Sequence, residues 1–344
     1  MKVIHSEAHQ AHDPECFITA GRLDRSPECP ERAHRLHAAV SGAGYAIAPP
    51  REHGMAAIEA VHPADYLDFL RHGLADWRRL PNAGESIIPN VHPGRHMVGR
   101  PESIVGRAGR FMADTACPIA AGTWEASLAS AQVALTAADD LLAGAPSAYA
   151  LCRPPGHHAF ADMAGGFCYL NNVAIAARYL SAQFDHLAIL DVDVHHGNGT
   201  QGIFYQDASV LFCSLHGDPS VFYPYYAGYG DETGAGAGEG RNLNLPLPRG
   251  TADAAYLEAL ATALTAIRQF GPDCLLLSLG LDAQENDPLG ILSISTDGFA
   301  RIAEAIAGLG LPTLLVQEGG YLCPELGDNL LAFLDGFSQT HAVS

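Results

Sequence analysis

Positive charge is scarce in this chain. Nineteen Lys and Arg stand against 38 Asp and Glu, for a net charge of −19. Phosphate binding needs a basic face, so nucleic acid is excluded as the main partner. The same field suits a cationic small molecule. Paired cysteines are also missing. Cys16, Cys29, Cys117, Cys152, Cys168, Cys213, Cys274 and Cys323 are scattered, and none forms a C-x-x-C pair. Cys152, Cys213 and Cys274 sit in apolar runs and read as small core residues. This usage fits a reducing cytoplasm. No run approaches the ~18 apolar residues of a membrane span. The opening MKVIHSEAHQ lacks the apolar stretch of a secretory signal. A cytoplasmic protein with no membrane partner is therefore expected. What is present is core-forming material: 48% of the 344 residues are hydrophobic, which argues against global disorder. With no linker and no internal repeat in view, residues 1–344 are expected to form one domain.

The pattern along the chain divides near residue 123. Met1–Ser6 reads as a strand, and the His-, Asp-, Gly- and Pro-rich stretch to Pro30 as a loop. Pro30 opens a helix to about Ser41, closed by Gly42 and Gly44. Pro63–Leu80 carries Tyr66, Leu67, Phe69 and Leu70 at helical spacing. Residues 82–122 have several Gly and Pro and little periodicity. A connection of ~40 residues is usually functional, so it reads as an insertion over the site or at a subunit contact. From the Ala-rich helix Thr123–Leu142 onward, strand and helix alternate. Strands are expected at 148–152, 187–190, 210–215, 274–279 and 313–316. Helices are expected at 171–182, 200–205, 251–270, 296–309 and 324–337. Such alternation predicts an α/β fold with a parallel sheet covered on both faces.

Strand ends of a parallel sheet meet on one edge, where ligands bind. The run Leu187–Leu190 ends in Asp191, Asp193, His195, His196 and Asn198. Asp193 and His195 are two apart, so on extended chain they point the same way. Arg153–His158 follows the strand before it, His216 the strand after it, Asp282 the next and Glu318–Tyr321 the last. Asp193, His195 and Asp282 together offer three ligands and an open position, the pattern of catalytic zinc. Two carboxylates also suit iron(II) or manganese. Taken alone, Asp282 also reads as a cap or turn residue.

His157 and His158 are adjacent imidazoles able to move protons near neutral pH. Asp191 is placed to orient His157 and Asn198 to bond His158, which would give the two rings different proton affinities. Tyr321 is placed to stabilise an oxyanion. Gly166, Gly319 and Gly320 let the backbone approach a substrate. Phe167 and Tyr223 read equally as walls of an apolar slot and as core.

The segments RPPGHH (153–158), GFCYLNN (166–172), DVDVHHGNGT (191–200), SLH (214–216), LD (281–282) and EGGY (318–321) resemble the histone deacetylase superfamily. The similarity spans nearly the whole chain. It implies the arginase–deacetylase fold, a three-layer α/β/α architecture with a central eight-stranded, mostly parallel sheet. It implies one zinc on Asp193, His195 and Asp282, His157 and His158 as the acid–base pair, and Tyr321 as carbonyl polariser. It further implies structural potassium at Asp191, Asp193, His195, Ser214 and Leu215. A second potassium would lie at Phe204, Asp207, Val210 and Leu243. The related arginases bind two manganese ions through extra aspartates. Gly197 and Gln284 stand at those positions here, which favours a single-metal amide hydrolase.

Within the superfamily the chain is most similar to bacterial acetylpolyamine amidohydrolases. The cues are its length, GTWEAS (122–127), CRPPGHHA (152–159), SLHGDP (214–219) and the insertion. The resemblance implies a homodimer whose insertion narrows the channel. Acidic residues there would meet a distant ammonium, with Glu102 and Asp114 as nearest matches. The expected activity is zinc-dependent removal of acetyl from acetylputrescine, acetylcadaverine or acetylspermidine. A histone deacetylase-like lysine deacylase, acting on proteins or small molecules, is the alternative. A non-catalytic metal- or acyl-binding protein is disfavoured because every catalytic position is filled.

Overall fold

The computed structural model describes residues 1–341. The chain opens with β1 (Lys2–Ile4), a 3-10 turn (Glu7–Ala11) and a hairpin of β2 (Cys16–Thr19) and β3 (Arg22–Arg25). Next come α1 (Pro30–Gly42), β4 (Ala46–Ala48), α2 (Ala56–Glu59), α3 (Ala64–Trp77), α4 (Ile104–Phe111) and α5 (Thr123–Leu142). The alternating half continues with β5 (Ser147–Ala150), α6 (Asn172–Leu180), β6 (Leu187–Asp191), α7 (Asn198–Phe204), β7 (Val210–Gly217) and β8 (Asn242–Leu247). It ends with α8 (Asp253–Phe270), β9 (Cys274–Leu279), α9 (Thr296–Ala307), β10 (Thr313–Gln317) and α10 (Leu326–Thr340).

Eight strands pair in the order β4-β1-β5-β10-β9-β6-β7-β8, and every pairing is parallel. The central strands are buried on both faces, which is why LAILD and CLLLSL read as continuous apolar runs. Alternate residues feed opposite cores. Ile189, Leu276 and Val316 pack with α3, α5 and α6. Leu190, Leu277 and Leu315 pack with α1, α8, α9 and α10. This is the three-layer arginase–deacetylase architecture. Local signals set the helix limits. Asn171 and Ser295 accept from the N–H groups of Ala174 and Gly298 to cap α6 and α9, and Gly271, at φ 65°, ends α8.

Several elements differ from expectation. The two edge strands are short or mixed: β4 has three residues, and β8 reads NLNLPL with a proline, a residue that edge strands tolerate. The hairpin is made by Ala20 and Gly21, at φ 47° and 76°, a two-residue turn in the stretch that read as loop. The insertion contains α4, whose Gly106 and Gly109 pack against Pro101 and Val91. The carboxyl ends of β5, β10, β9 and β6 are neighbours in the sheet. Loops more than a hundred residues apart in the chain therefore meet on one edge.

Candidate active site

Asp193 and His195 follow β6, and Asp282 follows β9. Nδ1 of His195 lies 3.1 Å from Asp193 Oδ1 and 3.1 Å from Asp282 Oδ2. The three ligand atoms all lie within 4.8 Å of one another. The outer oxygens are engaged: Gly319 N–H donates to Asp193 Oδ2 at 2.7 Å and Val194 N–H to Asp282 Oδ1 at 2.9 Å. Both carboxylates are fully buried. Burial and Asp193 push Asp282 up. Burial opposes a charge on His195, yet the two aspartates outweigh it and raise the ring to about 9. Two buried like charges beside one imidazole need a compensating cation. The donor set, two oxygens and one nitrogen, fits a zinc-class dication.

The loop after β5 brings in the histidine pair. His157 Nδ1 lies 2.9 Å from Asp191 Oδ2, and His158 Nδ1 lies 2.7 Å from Asn198 Oδ1. The two rings are 4.1 Å apart. Burial disfavours a proton on His157, but Asp191 and Asp193 reverse this and raise it to about 10. Burial, then His157 and His195, drive His158 well below its ordinary value. Adjacent rings are thus pushed in opposite directions. The loop itself is held by Glu318, whose Oε2 accepts from the N–H groups of Gly156 (2.7 Å) and His157 (3.1 Å). At Gly197 a Cβ would overlap the Asp191 carboxylate, so only glycine leaves that ion pair room.

A cavity of about 400 Å³ stands over this cluster, with His158, His195 and Tyr321 in its lining. Phe167, at φ 67°, and Gly166, at φ 47°, form one side. The Phe167 ring stands edge-on to Tyr321 at 5.8 Å. Tyr223 faces His158 edge-on at 5.0 Å. Tyr321 is fixed by Asp287, which accepts its N–H at 2.7 Å, and by the Arg32 guanidinium 4.6 Å over its ring. Burial holds its phenol well above 10, so it remains a donor.

Several expected residues lie elsewhere. Glu102 is exposed ahead of α4 and does not line the cavity. Asp114 does line it, but its carboxylate is taken up by Tyr223 and by the N–H groups of Ala116 and Gly166. Gly319 and Gly320 do not face the cavity. A Cβ at Gly319 would overlap the oxygens of Asp282 and Asp193, and one at Gly320 would press on Leu281; these glycines make room for the metal ligands and their neighbours. His216 lies within β7, not beyond it, and bonds Ser214 and the Gly228 carbonyl.

Of the positions implied for potassium, Asp191 and Ser214 are register partners on β6 and β7, with Leu215 next to Ser214. Phe204 closes α7, Asp207 and Val210 follow it into β7, and Leu243 lies on β8 opposite Cys213.

Other residues at the site carried no assigned role in the sequence. Phe222 stacks on His195 at 4.8 Å and 17°. Phe17 of the hairpin packs edge-on to Phe167 at 5.6 Å. Arg153, beside the PPGHH segment, and Arg32 share Glu28 in a buried ion cluster. Only Asp114, Thr115 and Ala116 of the insertion line the cavity. Another part of it borders a separate, open hollow of about 630 Å³ between Val91 and Arg110.

Residues 26–337 match the model of the histone deacetylase domain. An acetylpolyamine amidohydrolase of Burkholderia pseudomallei (strain 1710b) is 47% identical over 330 residues, 95% of both chains. The acetylpolyamine amidohydrolase of Mycoplana ramosa is 41% identical over 338 residues, 98% of this chain and 99% of that one. Among solved structures, an acetylpolyamine aminohydrolase from Burkholderia pseudomallei superposes with a TM-score of 0.96 at 45% identity, covering 99% of this chain and 100% of the other.

Proposed function

This chain belongs to the histone deacetylase family, and from that membership we propose that it hydrolyses the acetyl amide of N-acetylated polyamines to acetate and free amine, with zinc as its metal. Acetylputrescine, acetylcadaverine and acetylspermidine are the substrates in view. The observation that carries the reading is one cavity lined by His158, Tyr321 and His195, the last of which belongs to the Asp193–His195–Asp282 cluster.

Asp193, His195 and Asp282 would hold the ion, which would supply Lewis acidity toward the amide carbonyl and the attacking water. Of the two imidazoles, only His158 lines the cavity, and it is the neutral one. It accepts a proton as water adds to the carbonyl carbon, then returns it to the amine as the C–N bond breaks. His157, kept protonated by Asp191, offsets the negative charge that develops beside it. Tyr321 donates a hydrogen bond from its phenol to the carbonyl oxygen. Phe167 and Tyr223 grip the apolar stem of the substrate, and the acidic surface draws in its distant ammonium.

The reading includes structural potassium at the two positions described and a homodimer joined through residues 82–122. Val91, Met97 and Val98 are exposed apolar side chains there. A cytoplasmic setting suits eight unpaired cysteines. No helix among the described residues is long and apolar enough to cross a membrane. The test is kcat/KM on acetylpolyamines against acetyl-lysine peptides. A tenfold preference for peptides rejects the polyamine reading in favour of a lysine deacylase.

A further inference from the structure

A group of imidazoles lies outside the catalytic cavity and takes no part in the chemistry above. His5 follows β1, Glu7 and His9 lie on the 3-10 turn, and His34 and His37 lie on α1. The ligand atoms of His5, Glu7 and His37 all fall within 4.8 Å of one another, and so do those of Glu7, His9 and His34. Glu7 is common to both sets. Ring centroids are 5.1 Å apart for His5 and His9, 4.8 Å for His5 and His37, and 5.2 Å for His9 and His34. Glu7 Oε1 lies 3.7 Å from His5 Nε2, and its other oxygen accepts from Gln10.

The second observation concerns what the buried rings lack. His5 is 6% exposed and His9 2%. None of their four ring nitrogens makes a well-formed hydrogen bond, although the Leu151 backbone lies beside His5. Buried polar atoms are ordinarily paired, and here two neighbouring rings carry bare nitrogens, one ring in each of the triads that share Glu7. Burial also lowers the proton affinity of both rings, so each is in the neutral form that ligates.

We propose that the two triads joined by Glu7, His5–Glu7–His37 and Glu7–His9–His34, provide a second metal site, distinct from the catalytic centre, for a dication of the zinc class. Several imidazoles with one carboxylate select zinc, copper or nickel; magnesium and calcium require oxygen-rich shells. His5 and His9 form the floor, while exposed Glu7 and His34 leave an entry path. An ion there ties β1 and the 3-10 turn to α1. The tie matters because the His9 carbonyl accepts from Arg153, and Arg32 of α1 bonds the carbonyls of Glu318 and Gly320. The site therefore contributes to the stability of this layer, which melting temperature reads.

The test is zinc content of the full chain after equilibration with Zn²⁺ and desalting, read with melting temperature. Two equivalents per chain are expected for the wild type. Glu7→Gln with His34→Ala changes two exposed side chains, and should leave one equivalent and an unchanged kcat/KM. Asp282→Ala should also keep one equivalent and a zinc-dependent rise in melting temperature. Adding the Glu7 and His34 changes to it should abolish both. The single Glu7→Gln change should weaken the second equivalent by roughly tenfold or more, the scale at which metal sites respond even to altered supporting groups. A wild type that holds one equivalent overturns the proposal. So does a second equivalent that survives the double substitution, because that ion is then held without Glu7, the residue common to both triads.

Discussion

The hydroxyl of Tyr223 donates a 2.6 Å hydrogen bond to Asp114 Oδ2, joining the loop after β7 to the end of the insertion, 109 positions away. The same carboxylate accepts from Ala116 N–H at 2.8 Å and Gly166 N–H at 3.2 Å. One acidic side chain thus clamps the Tyr223 and Phe167 walls of the cavity at a fixed separation. Burial and Asp114 hold the Tyr223 phenol well above its ordinary value, so it stays a donor throughout the working pH range.

Asp114→Ala is expected to loosen both walls and raise KM for a slender acetylated amine. A hydrogen bond to a charged group contributes about 1.5–3 kcal/mol. If that energy is expressed in substrate positioning, KM rises on the order of tenfold or more, while kcat changes less. Tyr223→Phe keeps the ring and should have the smaller effect. Steady-state kinetics on both variants decides the matter. A drop in kcat at constant KM would instead give Asp114 a part in the chemistry.

Tyr321 has its backbone and ring fixed by Asp287 and Arg32, which leaves the phenol oxygen as its variable part. Tyr321→Phe should therefore lower kcat by roughly 10²-fold or more, the range for loss of one oxyanion donor. KM and metal content should stay near wild type. Equal loss of metal and activity would point to a structural role for the side chain.

The legible part of the chain was set by the burial of its strands. Runs such as CLLLSL sit between two apolar layers, so their pattern is continuous, and the residues just past each run land on one sheet edge. That logic placed Asp193, His195, Asp282, His157 and Tyr321 together. It failed where structure depends on distant partners. Strand β4 is only Ala46-Ile47-Ala48, and its pairing with β1 defines it more than any local pattern does. His216 comes after an apolar run, but β7 continues through it and turns its ring toward Ser214. Gly319 read as a substrate approach because glycine alone does not say which neighbour needs the space; the neighbour is Asp282. Phe222 and Tyr223 are adjacent aromatics, and only the fold shows that Phe222 is the one lying flat on His195.

Metal removal should reveal the balance of charges in the catalytic cluster. Asp193 and Asp282 are fully buried, and each faces the other's charge. In chelator-treated protein at neutral pH, Asp282→Asn should change the melting temperature little, because it relieves the repulsion with Asp193 but also removes a partner of the His195 ring. With metal present the variant should melt well below wild type. A ligand at about 100 times its Kd stabilises the native state by about 2.7 kcal/mol, and the variant loses much of that affinity. Differential scanning calorimetry with and without chelator tests the difference; a variant equally destabilised under both conditions contradicts it.

Glu28 gives the pH dependence of the supporting layer. It bonds Arg32 Nη1 at 2.8 Å and Arg153 Nε at 2.8 Å, and all three side chains are buried. Burial alone would raise its pKa, but Arg153 and Arg32 outweigh that and hold the carboxyl below the ordinary glutamate range. Its folded pKa is thus depressed relative to the unfolded value of about 4.3. The stabilisation is fully present above that value and is lost as pH falls through the folded pKa. Wild-type melting temperature should therefore decline steeply below roughly pH 4. Glu28→Gln leaves two buried guanidinium groups without their counter-charge and should cost about 3–5 kcal/mol at neutral pH. Because Arg32 also sits over Tyr321 and holds the Gly320 carbonyl, activity should fall along with stability. Thermal melts of both proteins from pH 3 to 8 should therefore converge toward the acid end, since protonation removes from the wild type what the substitution has already removed. Parallel curves would mean that Glu28 titrates no differently in the folded chain than in the unfolded one.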